Sequence, residues 1–281
     1  MKRHKKERDG VLEISHVLYT KRFHLFLDRQ LCKGCQLCKL ICPREAISLI
    51  PSEDADGKAL ASKVDIDENI CDFHGICAVI CPFSAIKISV NGDEELPAVK
   101  LNVFPTLIRD IEADSGRCEN GCNKCERVCP IGIISVSETG GKPQVNIKKE
   151  LCTGCRNCYM ECPRGAVEVR KFIEGNITID SKKCPEGCKR CFDVCPLGAL
   201  EIGEDKKVFV KDIFCIYCGA CLEVCPAEDA LTIERTSFRH TSIDSGAWNK
   251  GLEKVTSPAG LMRELAAEKT DKIRKAVANL Q

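Results

Sequence analysis

The run C-K-G-C-Q-L-C-K-L-I-C-P at residues 32–43 decides how this chain is read. Cys32, Cys35 and Cys38 recur every third residue, Cys42 follows four residues on, roughly one helical turn, and Pro43 closes the run. The pattern returns five times. Cys71, Cys77 and Cys81 precede Pro82, with His74 in the place of the second cysteine. Cys118, Cys122, Cys125 and Cys129 precede Pro130, and Cys152, Cys155, Cys158 and Cys162 precede Pro163. Cys184, Cys188, Cys191 and Cys195 precede Pro196, and Cys215, Cys218, Cys221 and Cys225 precede Pro226. The third and fifth blocks carry one extra residue in their first gap. These six blocks contain all 23 cysteines of the 281-residue chain.

That share of cysteine fits a disulfide scaffold or a metal protein, and the length argues against the scaffold. The basic start, Met1 to Gly10, is followed by charged residues such as Glu13 and by no apolar core, so no secretory leader is expected. No uncharged apolar run approaches the roughly 18 residues of a membrane span. The expected compartment is the cytoplasm, where thiols stay reduced and clustered cysteines mean metal. A formal charge of +1 gives no case for nucleic-acid binding, and 5% aromatic residues exclude large aromatic cores.

Extended segments are expected before five blocks, at His24–Asp28, Val64–Asp67, Val145–Ile147, Ile177–Asp180 and Val208–Lys211. After each Cys-Pro comes a short branched-rich strand candidate: Ala46–Leu49, Ala85–Ile88, Ile133–Val136, Ala166–Val169, Ala199–Ile202 and Ala230–Ile233. Each unit therefore reads strand, cysteine loop, short helix, strand. Blocks three and four look like a duplicate of five and six, which leaves one and two as the first pair; spacing alone leaves shifted or nested pairing open. Residues 1–22 read as a basic, solvated tail. Residues 237–281 carry no cysteine. There Ser257-Pro258 reads as a helix start, Leu261, Leu265, Ile273, Val277 and Leu280 fall near one face, and Trp248 is a candidate anchor. That extension reads either as a helix packed on its own protein or as a docking arm for a larger complex.

Three cysteines at every third residue let one loop wrap a metal cluster with three thiolates. The frame is that of bacterial ferredoxins, in which the fourth cysteine ligates the other cluster of a two-cluster domain. Structural zinc is the alternative, but it uses two C-x2-C pairs across a longer loop and leaves the third cysteine and six Cys-Pro pairs unexplained. The chain resembles the polyferredoxins of methanogenic and related anaerobic archaea over roughly residues 23–236. The resemblance implies an α+β fold of three tandem bacterial-type 2[4Fe-4S] ferredoxin domains, at 23–92, 93–172 and 173–236, followed by a partly helical extension. It also implies six 4Fe-4S clusters with crossed ligation under adjacent pairing. Cys32, Cys35 and Cys38 would share a cluster with Cys81, and Cys71, His74 and Cys77 with Cys42. Cys118, Cys122 and Cys125 would go with Cys162, and Cys152, Cys155 and Cys158 with Cys129. Cys184, Cys188 and Cys191 would go with Cys225, and Cys215, Cys218 and Cys221 with Cys195.

His74 is the departure from the family frame. Its position suits a neutral imidazole ligand, which would raise the cluster potential as histidine does in Rieske centres; Asp72 is a nearby oxygen alternative, and a 3Fe-4S cluster with His74 unbound is the other outcome. Six oxidised cubane cores and 23 thiolates bring the loaded chain to about −10, which suits basic docking faces on redox partners. No dinucleotide fingerprint, P-loop or catalytic triad is present, so an active site of its own is not expected. The C-P-E-G-C stretch at Cys184–Cys188 and the R-H-T-x5-A-W-N stretch at Arg239–Asn249 resemble the polyferredoxin component of tungsten or molybdenum formylmethanofuran dehydrogenase. The resemblance implies low-potential electron transfer within an oxidoreductase complex of methanogenesis. Partners would be formylmethanofuran dehydrogenase and heterodisulfide reductase or hydrogenase subunits. A free multi-cluster carrier and a zinc scaffold are the alternatives.

Overall fold

The structure, a computed structural model, describes residues 2–243 and 246–256. The expected helix from Ser257 to Leu280 lies outside the described residues. The chain opens with β1 (Lys2–Arg8), β2 (Val11–Val17) and β3 (Arg22–Asp28), followed by α1 (Leu37–Ile41), β4 (Ile47–Glu53), β5 (Ala59–Ile66), α2 (Ile76–Ile80) and β6 (Ile86–Val90). A connector with α3 (Pro97–Lys100) leads to β7 (Asp110–Ala113), α4 (Lys124–Arg127), β8 (Ile134–Thr139), β9 (Lys142–Ile147), α5 (Asn157–Glu161) and β10 (Val167–Arg170). Then come β11 (Ile173–Ile179), α6 (Arg190–Val194), β12 (Leu200–Ile202), β13 (Val208–Val210), α7 (Ala220–Glu223), β14 (Leu231–Phe238) and α8 (Ala247–Thr256).

One pairing rule holds three times. An outer antiparallel pair joins the first and last strands of a unit: β3 with β6, β7 with β10, β11 with β14. An inner hairpin joins the middle two: β4 with β5, β8 with β9, β12 with β13. Within each unit the two short helices pack together. Blocks one–two, three–four and five–six therefore fold as pairs.

The sequence explains why the helix of each cysteine block is one turn long. Every one of these has a cysteine at its second position, and the fourth cysteine of the block stands just before proline. A residue before proline is driven out of the helical region. Accordingly Cys42, Cys81, Cys162 and Cys195 are extended, with ψ of 114°, 112°, 110° and 111°. Chain entry into the loops is also local chemistry. Asp28 accepts hydrogen bonds from Gln30 and Leu31 N–H, Asp67 from Asn69, Asp114 from Gly116 and Asp180 from Lys182. These aspartate turns stand four residues before the first cysteine of blocks one, two, three and five. Gly34 allows the tightest approach: with φ of +62°, an added Cβ would lie 2.5 Å from the backbone N and O of Ser62.

The N-terminal run departs from the solvated tail expected of it. Asp9 and Gly10 both take positive φ, 51° and 76°, the geometry of a two-residue hairpin turn. β1 and β2 thereby extend the first sheet to the order β1-β2-β3-β6. Leu12 and Ile14 of β2 are buried, so alternate residues of the hairpin belong to the core. The basic charges of β1 meet acids and carbonyls: Lys5 lies 2.8 Å from Asp65, and Arg3 donates to the Glu68 and Cys71 carbonyls. A second difference is β7, an extended segment before the third block that was not expected from the sequence.

The C-terminal segment turns back on the first unit. Leu107 bridges His240, Thr241 N–H donates to the Thr106 carbonyl, and α8 packs on α1. Trp248 is fully buried, with ring centroids 6.4 Å from Phe104 and 5.8 Å from His240. The described part of the extension is thus packed on its own protein. We expect Trp248→Ala to lower the unfolding free energy by about 3–5 kcal/mol. A denaturant titration of the iron-loaded chain followed by circular dichroism checks this; an unchanged midpoint would mean that α8 contributes nothing there. Among the described residues, no helix is long and apolar enough to cross a membrane.

Candidate metal centres

All 23 cysteines are free thiols, and in two places cysteines of paired blocks line one cavity. Cys195 of block five lines one cavity together with Cys215, Cys218 and Cys221 of block six, walled by Ile177, Leu200, Ile216 and Ile233. Cys42 of block one lines another with Cys71, His74 and Cys77 of block two, walled by Leu25, Ile47, Ile66 and Ile88. The thiols surround apolar volumes; among the described residues, no three His, Cys, Asp or Glu side chains converge on a single-ion site.

The thiol electrostatics follow the same map. Burial is the largest cause of the rise in thiol pKa throughout: Cys152, Cys191 and Cys218 are pushed up to about 11, and Cys158 and Cys215 to about 12. Neighbouring thiolates add to it. Cys81 acts on Cys32, Cys35 and Cys38, and Cys42 acts on Cys71 and Cys77. Cys162 acts on Cys118, and Cys129 on Cys152, Cys155 and Cys158. Cys225 acts on Cys184 and Cys191, and Cys195 on Cys215, Cys218 and Cys221. Fourth-position thiols thus act on cysteines of the partner block, while Cys81 also acts on Cys77 of its own block and Cys77 on Cys38. Such buried thiolates need a compensating cation, and loading one expels their protons.

Backbone donors are aimed at the sulfurs. In three blocks the alanine four residues after the fourth cysteine donates its N–H to that Sγ: Ala85 to Cys81 (3.4 Å), Ala166 to Cys162 (3.1 Å) and Ala199 to Cys195 (3.3 Å). Gly154 N–H meets Cys152 Sγ at 3.4 Å and Tyr217 N–H meets Cys215 Sγ at 3.3 Å. Such bonds stabilise thiolates. Sulfur donors lining apolar cavities, with amides directed at them, fit iron–sulfur cubanes in donor chemistry.

His74 lines the cavity of Cys42, Cys71 and Cys77. Its Nε2 is buried without a hydrogen-bond partner, 3.7 Å from Asp72 Oδ1. Burial lowers its pKa, against the pull of Asp72, and favours the neutral ring a metal ligand needs. Its Nδ1 accepts the Ile76 N–H at 3.2 Å, which places the ring proton on Nε2. Ligation through Nε2 therefore requires that this proton leave, or that the ring give up the Ile76 bond. The Asp72 side chain is half exposed.

Cysteines of different units come together where the units meet. Cys35 in the first unit is close enough to Cys218 in the third for their charges to act on one another. Arg235 is buried there, 5% exposed, donating to the Tyr217 carbonyl at 2.7 Å and to the Cys218 carbonyl at 3.2 Å. Gly219 keeps the contact close: an added Cβ would lie 2.6 Å from Gln36 Nε2 and 2.9 Å from Arg235 Nη2. Between the first and second units, Arg109 donates to the carbonyls of Cys81 and Pro82, both at 2.9 Å, and to that of Cys152. Asn157 donates to the Leu197 carbonyl across the second and third units at 3.1 Å. Cys35, Cys38, Cys155, Cys215 and Cys218 share one apolar core, whereas Cys118, Cys122, Cys184 and Cys188 are partly exposed. Sequence reasoning missed both arginines. Arg235 had a signal, since it falls in phase with Leu231 and Ile233 on the inward side of β14; Arg109, in the connector, had none.

The family model described as 4Fe-4S dicluster domain matches residues 31–85, 117–166 and 151–199, and a second model of that description matches residues 176–226. The match at 151–199 joins blocks four and five, which the strand pairing places in different units. A chain of the formate dehydrogenase–heterodisulfide reductase–formylmethanofuran dehydrogenase complex from Methanospirillum hungatei has the same fold. Its TM-score is 0.80 at 30% identity, covering 91% of this chain and 91% of that one. No curated protein sequence matches the chain.

Proposed function

Since the chain belongs to the 4Fe-4S dicluster ferredoxin family, we propose that it relays low-potential electrons through three dicluster units as a subunit of a redox complex containing formylmethanofuran dehydrogenase. The carrying observation is the composition of the cavities, in which three donors of one block face the fourth cysteine of its partner. The proposed donor sets are the six crossed ones, with His74 as the non-cysteine donor opposite Cys42, Cys71 and Cys77. When bound, a cubane supplies a reversible one-electron couple. The chain's own residues do the rest. Apolar walls exclude water, amides of Ala85, Gly154, Ala166, Ala199 and Tyr217 hold thiolate charge, and the unit contacts at Cys35–Cys218 and Arg109 bring the inner sites close. The partly exposed sets at Cys118–Cys122 and Cys184–Cys188 serve as points of entry and exit. The full-length likeness to a chain of a formylmethanofuran dehydrogenase complex supports the partner reading.

A reductive titration of the anaerobically purified chain tests the relay. It should take up about six electrons, one per cubane; uptake of none would exclude electron transfer. Docking calls for a separate cut. Deleting residues 237–281 would remove buried Trp248 and damage the fold, so the informative truncation ends at Thr256. Unchanged co-purification with partners after that cut would remove residues 257–281 as a docking arm.

A further inference from the structure

We propose that Arg235 and Arg109 are positioning residues for electron passage between units, each holding a fixed positive charge between two cluster sites and raising the potentials of both. The proposal rests on the six-cluster reading above.

A buried cation is normally matched by a carboxylate, because leaving water costs several kcal/mol. Among the described residues, neither arginine is ion-paired with a carboxylate; their contacts are almost all main-chain carbonyls of the cysteine loops. For Arg235 these are the carbonyls of Tyr217 and Cys218, on the loop that also holds Cys215 and Cys221. Its Nη2 and the Gln36 side chain, next to Cys35, flank the same glycine, Gly219. The charges that act on it are those of Cys218, Cys35, Cys221 and Cys215, thiols of two different sets in two different units. Arg109 repeats the arrangement on the other side of the first unit. It reaches the Cys81 and Cys152 carbonyls, rests 5.0 Å above the Phe172 ring, and feels first Cys81 and Cys152, then Glu150. An arginine stays charged at any pH at which the protein folds, so each is a permanent positive partner for negative sites on both sides.

The physical consequence follows from sign. Reduction adds one negative charge to a site, and a guanidinium held at fixed distance, buried for Arg235 and half-buried for Arg109, favours the more negative state. Each arginine therefore eases the arrival of an electron at the sites it separates. The set of Cys32, Cys35, Cys38 and Cys81 feels both arginines, Arg109 through the Cys81 carbonyl and Arg235 through the charge of Cys35, and so gains most. In the step served, one electron leaves one site and arrives at the next; no bond forms or breaks and no proton moves.

The experiment is a redox titration of the full iron-loaded chain, followed by electron paramagnetic resonance with spins counted. In Arg235→Gln, two centres should show about a tenfold fall in the reduced-to-oxidised ratio at fixed poise, about 59 mV for a one-electron couple. In Arg109→Gln, two centres should shift likewise, one of them the same centre. A fully loaded Arg235→Gln or Arg109→Gln chain whose potentials all stay within threefold of the native population would overturn the proposal. If a glutamine variant loses iron, the lysine variant decides, since it keeps the charge and loses the fork to the carbonyls. A lysine variant within threefold of the native population supports the charge; a tenfold fall contradicts it. Iron and sulfide content separates this failure from that of the parent reading: a chain without clusters shows no titrating centres at all.

Discussion

Anaerobic removal of iron unfolds the second and third units and leaves the first unit's outer sheet the last to lose protection. The reason lies in what each core is made of. The buried cluster of the second unit consists of Ile111, Ile133, Ile134, Val167 and Val169 together with Cys125, Cys152 and Cys158. That of the third is Leu200, Val208 and Leu231 with Cys191 and Cys221, and other buried residues of that unit, Ile173, Leu197, Ile216 and Phe238 among them, belong to the core it shares with the first unit around Cys215 and Cys218. Without iron, these thiols are isolated polar groups, and the aliphatic remainder is too small to order some sixty residues each. The first unit has more. Leu12, Ile14, Leu25 and Leu27 line a four-stranded sheet, and Trp248 and Val255 of α8, packed on α1, join the same core. Hydrogen exchange after chelation should show amides of 110–170 and 173–238 exchanging fully, with residual protection in β2 and β3. Iron-free chain with native protection in α4–α7 would contradict the claim that the centres hold the fold.

Cys81→Ala empties the site of block one rather than that of its own block. Cys81 belongs to block two in sequence; its charge acts on Cys32, Cys35 and Cys38 of block one and, within its own block, on Cys77. Loss of that thiolate should cost between one and about four of the roughly 24 irons expected from six cubanes. Alkylation followed by mass spectrometry should then label Cys32, Cys35 and Cys38 faster than in the native chain, with Cys71 and Cys77 still protected. Labelling of Cys71 and Cys77 instead would mean that each block keeps its own cluster, and the crossed donor sets would fall. The effect on the relay is large, because this set lies beside both Arg109 and Arg235 and so stands between the other two units.

The parts of the fold that local chemistry decides were legible in the sequence. Cys-Pro forces the chain extended after one helical turn, so the six loop–helix–strand units could be placed, and with them every strand except β1, β2 and β7. Misreadings arose where a composition signal outweighed a turn signal. Lys2 to Arg8 reads as a solvated basic run until Asp9-Gly10 is taken as a hairpin turn and Leu12 and Ile14 as an alternating face. β7 was missed because Asp110-Ile-Glu-Ala offers a single strong apolar residue, Ile111, whose burial comes from pairing with β10 across the whole unit. Pairing of the blocks needed the outer strands, which join residues some sixty positions apart. The gathering of three inner sites around Arg235 and Arg109 has no sequence signature of its own: it arises where three units pack, and only the inward phase of Arg235 in β14 hinted at it.

Metal and acid-labile sulfide per chain decide whether six iron–sulfur clusters sit on crossed donor sets. The measurement is made on protein purified anaerobically from its native source. About 24 irons with matching sulfide are expected, which requires a fourth donor beside Cys42, Cys71 and Cys77 and gives that place to His74. About 23 irons with a three-iron signal would remove His74 as a ligand and leave the relay standing. About six zinc ions and no sulfide would contradict the account.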